Sequence, residues 1–128
     1  MNAPQQLDLS HFYGSQSFTR FGLTKNVSSE GVTHFAEEMS AFWLLDSISA
    51  LLEEMALDGK AVDFAVIKIK RTIPNAARIV IEDGNDEEIH THQVGFTDLA
   101  FDRLPDDFQI WAARNELGSF TLYLPSEH

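Results

Sequence analysis

The amino-acid sequence predicts an α+β fold in which one long or broken helical segment packs on a mainly antiparallel sheet of four to six strands. Apolar residues recur at helical spacing over residues 32–57, whereas they alternate with polar residues in most segments after residue 59. Tight turns separate the strand-like segments, and such turns join antiparallel strands because parallel strands need long crossovers. The helical part and most of the strands are segregated along the chain, which is typical of the α+β class.

The predicted helical segment covers residues 32–57. Ser28 or Ser29 can cap its first turn, because a serine hydroxyl accepts a hydrogen bond from a backbone N–H that has no partner within the helix. The pattern fits either one bent helix or two helices joined near Ser40. Gly59 follows the last apolar position and ends the segment.

Six segments are predicted to be strands, and the polar residues 25–30 are predicted to be a loop. The strands are Ser17–Leu23, Phe64–Ile73, Ala77–Glu82, Glu87–Val94, Gln109–Arg114 and Ser119–Leu124. We expect the core to include Trp43, Leu44, Ile48, Leu51, Ile67, Ile69, Ile79, Ile81 and Leu122. Residues 1–9 are polar, and we expect them to form a loose tail on a single domain that spans 1–128.

The composition excludes several classes of function. The chain has 128 residues and no cysteine, so disulfides, cysteine nucleophiles and thiolate metal sites are excluded. It has 20 acidic and 9 basic residues, a net charge of −11, which argues against direct binding of nucleic acid or of anionic membranes. Met1–Leu9 has no features of a signal peptide, and the apolar run Ala41–Leu45 is too short to cross a bilayer. We therefore expect a cytoplasmic protein.

Four short motifs occur in order along the chain: AFWLLD at 41–46, EDGN at 82–85, FTD at 96–98 and LPSE at 124–127. Together with residues 31–38 they resemble a family of small uncharacterised proteins from bacterial chromosomes, plasmids and phages. Phe42 stands where that family is expected to have tyrosine. The resemblance covers 12–127 and implies a single compact domain in a mobile-element setting. It implies no reaction and no catalytic residue.

His90 and His92 form the best candidate metal pattern. Residues two apart on a strand face the same side, so both imidazoles can approach one ion. Asp83, Asp86 or Glu88 could add a carboxylate from the neighbouring turn. The alternative is that both histidines lie on the polar outer face of a hairpin. Because two histidines supply only half of a tetrahedral ligand set, we expect no bound metal and no other cofactor.

Charge is distributed unevenly along the chain. Five of the nine basic residues lie within residues 60–78, whereas residues 82–107 carry nine acidic residues and a single basic one. The nine are predicted to bind a partner: Glu82, Asp83, Asp86, Glu87, Glu88, Asp98, Asp102, Asp106 and Asp107. An acidic surface can steer association with a basic protein and can imitate the phosphates of a nucleic acid. The alternative is that the acidity serves solubility alone.

Three functional hypotheses follow from these observations. The first is a non-catalytic interaction module that binds a basic protein surface. Such a module could be carried by a mobile element and inhibit a basic nucleic-acid-binding protein of the host or of its defence. The second is a small metal-dependent enzyme or metal sensor centred on His90 and His92. The third is a structural homodimer. The absence of cysteine, of a glycine-rich phosphate loop and of a third histidine in the metal pattern favours binding over catalysis.

Overall fold

The structure is a computed structural model that describes residues 18–20, 25–85, 87–95, 97–105 and 107–127. Within these residues the chain forms two helices and one seven-stranded sheet, so the predicted α+β class is confirmed and the predicted number of strands is too low. The predicted tail at 1–9 lies outside the described residues, as do Asp86 and Asp106. Neither described helix combines the length and the apolar character that a bilayer-spanning helix requires.

The elements follow the predicted segments closely from the first helix onward. The helices are α1 (Glu30–Glu38) and α2 (Phe42–Leu57). The strands are β1 (Phe18–Arg20), β2 (Val27–Ser29), β3 (Phe64–Ile73), β4 (Ala76–Glu82), β5 (Glu88–Val94), β6 (Gln109–Arg114) and β7 (Phe120–Tyr123). One short 3₁₀ turn, Phe101–Arg103, interrupts the connection between β5 and β6, and a second, Pro125–Glu127, follows β7.

The strand order in the sheet is β1-β2-β7-β6-β3-β4-β5. Every neighbouring pair is antiparallel except β2 and β7, which are parallel, so the sheet is mixed. Residues 25–30 were expected to be a loop, yet Val27–Ser29 is a strand because it pairs with Thr121 and Leu122 of β7. Three residues are too few to show an alternating pattern. The strand forms because it pairs with β7, which is far away in the sequence, so no local pattern predicts it.

The helical segment is two helices, in agreement with one of the two alternatives. Ser40 has a φ of 51°, in the left-handed region that interrupts a right-handed helix, and Ala41 N donates to Ala36 O at 2.8 Å across the break. The expected cap is present at the start of α1, where Val32 N donates to the hydroxyl of Ser29 at 3.2 Å. The break allows both short helices to lie on the same face of the sheet.

The core lies between the two helices and one face of the sheet, which we call the inner face. Its largest fully buried members are Phe35, Leu44, Leu45, Ile48, Met55, Ile67, Ile79, Ile81, Ile110 and Leu122. Seven of the nine predicted core residues are buried, whereas Trp43 and Ile69 are only half-buried and pack at the margin of the core. Ile69 lies where the burial of β3 ends, since residues 70–73 are exposed.

On the opposite, outer face of the sheet, three aromatic rings form a row across β3, β6 and β7. The ring centroids of Phe64 and Trp111 are 5.4 Å apart and those of Trp111 and Tyr123 are 6.1 Å apart, both with edge-to-face geometry. Tyr123 is buried, and burial raises the pKa of its phenol above 10.0 because the charged phenolate is poorly solvated there.

We expect Tyr123 to form phenolate only at a pH above the ordinary range for tyrosine. In a Tyr13→Phe variant Tyr123 is the sole tyrosine, so the ultraviolet absorbance of tyrosinate reports its titration alone. Because the folded state holds the proton more tightly than the unfolded state, the free energy of unfolding should fall as the pH rises past about 10. A folded protein that titrates at the free-tyrosine value would contradict the burial of this ring.

Candidate functional site

Seven of the nine acidic residues predicted to bind a partner lie in the described part of the chain, and these seven do not form one surface. Residues 83–87 join β4 to β5 at one end of the sheet, which we call the hairpin end. Residues 95–108 leave β5 at the other end, which we call the connection end, where Thr97 N donates to Asn75 O at 2.8 Å. The seven residues of β5 separate the two ends by about 20 Å, at about 3.3 Å per residue.

Glu82 does not lie on an exposed surface, contrary to the prediction. Glu82 is only 8% exposed, and its carboxylate is 3.0 Å from Lys68 Nζ on the outer face of the sheet. The two residues face the same side because Glu82 pairs with Val66 in the register of β3 and β4. This carboxylate therefore neutralises a neighbouring lysine, and it is not part of the surface that a partner would meet.

Asp83 has a structural role at the tip of the hairpin. Its Oδ1 accepts hydrogen bonds from Asn85 N at 2.8 Å and from Glu87 N at 3.2 Å, which closes the turn. Glu87 and Glu88 are exposed, and no ion pair with either is found among the described residues. Among the described residues of the hairpin end, Glu87 and Glu88 therefore have carboxylates that face solvent and hold no turn or ion pair together.

At the connection end, the three described aspartates differ in their surroundings. Asp102 lies 3.6 Å from Arg71 Nη1, and the Arg71 guanidinium also lies 5.1 Å from the centre of the Phe101 ring. Asp107 lines a pocket of about 420 Å³ together with Lys68 and Lys70, so basic side chains share its surroundings. Asp98 is exposed and is in no ion pair within the described part of the chain.

His90 and His92 face the helices. His90 pairs with Ile81 and His92 pairs with Ile79, and directly opposed residues of antiparallel strands point to the same face. The expectation that they share one side of β5 is met, and on that side His90 is half-buried and His92 is exposed. Among the described residues no group of three or more histidine, cysteine, aspartate or glutamate side chains could hold one metal ion.

A groove of about 320 Å³ lies where the start of α2 meets the end of β5. Its lining residues are Trp43, Ser47, His92, Val94, Thr97 and Asp98. Trp43 and Ser47 are four positions apart on α2, so they are neighbours on one side of the helix. Because Trp43 stays half-buried at this margin of the core, its indole is accessible from the groove.

Two hydrogen bonds hold the chain on either side of Asp98 in place. Thr97 N donates to Asn75 O at 2.8 Å, and the Thr97 hydroxyl accepts from Leu99 N at 3.1 Å. Thr97 and Leu99 are both buried, whereas Asp98 between them is exposed. The backbone therefore fixes the position of one acidic side chain at the rim of the groove.

The sequence did not predict this groove, although it contained two signals. Trp43 belongs to the AFWLLD motif, and Thr97 and Asp98 belong to the FTD motif. The two motifs are far apart in the sequence, so the sequence alone does not show that the first turn of α2 lies beside the end of β5. Trp43 was assigned to the core because a tryptophan at helical spacing is typical of a buried position.

Comparison with known proteins identifies the family. The chain matches DUF6876, a family of unknown function, over residues 3–128 and therefore belongs to it. No curated protein matches the chain, and no solved structure matches it.

Proposed function

We propose that this member of DUF6876 is a non-catalytic module that binds a basic surface of another protein. The observation that carries the proposal is the imbalance of charge on its exposed surface. The net charge is −11, and Lys68, Arg71 and Arg114 are in ion pairs with acidic residues of the same chain. Carboxylates on this surface attract a basic partner and accelerate its encounter.

The exposed carboxylates that support binding are Glu87 and Glu88 at the hairpin end, and Asp98 and Asp107 at the connection end. A finer part of the proposal is that the partner is a nucleic-acid-binding protein, because a surface that binds phosphates also attracts spaced carboxylates. The more specific proposal that the protein is an inhibitor carried by a mobile element rests on the sequence resemblance alone.

The test begins with the protein that co-purifies with a tagged copy of the chain from its source organism. We expect that protein to be basic. Its association rate is then measured by stopped flow with three doubly substituted variants that lose the same charge: Glu87→Gln with Glu88→Gln, Asp98→Asn with Asp107→Asn, and Glu53→Gln with Glu54→Gln. The last pair lies on the exposed side of α2 and serves as the control.

We expect at least one of the first two variants to associate about tenfold more slowly at low salt, and to show a weaker dependence of the rate on salt. The control variant should associate at nearly the wild-type rate. If all three variants slow association equally, only the total charge matters and no binding surface exists. A partner that is not basic, or two copies of the chain with no other protein, would also contradict the proposal.

A further inference from the structure

We propose that the groove between α2 and β5 receives one arginine side chain of the basic partner. Asp98 supplies the opposite charge, and the indole of Trp43 supplies a surface against which the guanidinium stacks. This inference rests on the proposed function and names the chemical group that the site recognises. The groove makes direct contact with the arginine side chain, whereas the exposed carboxylates elsewhere on the surface contribute long-range attraction.

The size and position of the groove suit a single side chain. Its volume of about 320 Å³ is at the lower end of the range for small-molecule sites, about 300–1,000 Å³. It lies beside β5, which is an edge strand of the sheet that the described residues form, so a partner can approach from the side without displacing another described strand. Its boundaries are one turn of a helix, the end of a strand and two residues of the connection.

The chemistry of the lining matches a guanidinium group. A guanidinium has only hydrogen-bond donors and a planar face, so it needs oxygen acceptors and a flat apolar surface. The Asp98 carboxylate and the Ser47 hydroxyl are the acceptors, and the Trp43 indole is the flat surface. None of the six described lining residues is lysine or arginine, and His92 is the one among them whose side chain can become cationic.

Asp98 differs from the other two described aspartates of the connection end in a way that favours this role. Asp102 pairs with Arg71, and Asp107 lies beside Lys68 and Lys70. Asp98 is in no ion pair within the described part of the chain, and the buried residues on both sides of it hold its backbone in place. A side chain on an anchored backbone loses less conformational freedom on binding than one in a mobile loop, which strengthens its interaction.

The inference is tested with a short acetylated peptide of glycine and serine that contains one central arginine. The matched control replaces arginine with citrulline, which has nearly the same shape and no charge. Binding is followed in the full chain by the NMR signals of the two indole N–H groups. Trp111 is the internal reference, because its indole lies on the outer face of the sheet and donates to Gln109 Oε1 at 2.9 Å.

We expect the arginine peptide to shift the Trp43 signal in a saturable titration with a Kd on the order of millimolar, and the Trp111 signal to stay in place. The citrulline peptide should cause no saturable shift, and a lysine peptide should bind more weakly because an ammonium does not stack. Asp98→Asn should weaken binding of the arginine peptide about fivefold. Asp102→Asn makes the same change in charge and should leave binding unchanged.

Equal titrations with arginine and citrulline would overturn the inference, and so would equal binding of the lysine and arginine peptides. Wild-type affinity in Asp98→Asn, with the fold intact by urea unfolding, would do the same. The proposed function would survive these outcomes if the paired acidic substitutions still slowed association with the basic partner. Conversely, an intact peptide titration combined with a partner that is not basic would remove the proposed function and leave a site for a guanidinium group.

Discussion

Replacement of Glu127 by alanine is expected to lower the free energy of unfolding by about 3–5 kcal/mol. Glu127 is only 8% exposed, and its Oε1 accepts hydrogen bonds from the Ser29 hydroxyl at 2.5 Å and from Leu124 N at 2.8 Å. Its Oε2 accepts from Gly31 N at 3.1 Å. Alanine would leave these three buried donors without that acceptor, and each such loss costs about 1–3 kcal/mol.

The position of this carboxylate adds to the expected effect. Ser29 is the cap of α1 and Gly31 lies in its first turn, so Glu127 places a negative charge at the N-terminus of a helix. Urea unfolding of Glu127→Ala measures the loss, and Glu127→Gln should be intermediate because an amide oxygen still accepts hydrogen bonds. The control is Glu116→Ala in the exposed turn between β6 and β7, which should change stability by less than about 0.5 kcal/mol. Equal stability of the two alanine variants would show that Glu127 does not hold α1.

The second large effect is expected for Gly31→Ala, a loss of about 1–3 kcal/mol. A Cβ at this position would lie 2.6 Å from Leu124 Cδ1 and 2.8 Å from Glu127 Oε1, closer than carbon atoms approach these groups. Alanine usually favours a helix over glycine by about 1 kcal/mol, so a net loss would show that the steric overlap exceeds that gain. Because the hydrogen bonds of Glu127 fix its side chain, it cannot move aside without losing them.

The control for this substitution is Gly95→Ala, where a Cβ would meet no atom of the described residues within 4 Å apart from those of its chain neighbours. We expect that variant to retain wild-type stability within about 0.5 kcal/mol. The double variant Gly31→Ala with Glu127→Ala should lose less than the sum of the two single losses, because the methyl group gains space when the carboxylate is removed. Strict additivity, measured by the same urea unfolding, would contradict the close contact between the two residues.

The parts of the fold with a clear local pattern were predicted from the sequence. The bounds of β3 and β6 agree with the predicted segments. β3 is rich in valine, isoleucine and threonine and ends at the turn signal Pro74-Asn75, and β6 ends at the turn signal of residues 115–118. β2 was missed because its three residues depend on pairing with β7, far away in the sequence. The parallel contact that makes the sheet mixed was missed for the same reason.

The candidate site was less predictable because it depends on tertiary contacts. The sequence shows that residues 82–107 are acidic, but β5 places the two halves of that acidity at opposite ends of the sheet. It also cannot show that Glu82 is buried beside Lys68, since this pair forms only in the register of β3 and β4. The LPSE motif was recognised, yet only the fold shows that its glutamate binds the start of α1.

The contact of Glu127 with Gly31 also constrains the order in which the protein can fold. The two residues are 96 positions apart, and β2 pairs with β7 over a similar distance in the sequence. During synthesis from the N-terminus, α1 and β2 emerge long before the groups that complete them, so the apolar face of the nascent helices stays open to water. Closing such long loops is slow, and folding should therefore reach its last step only after residues 120–127 have left the ribosome.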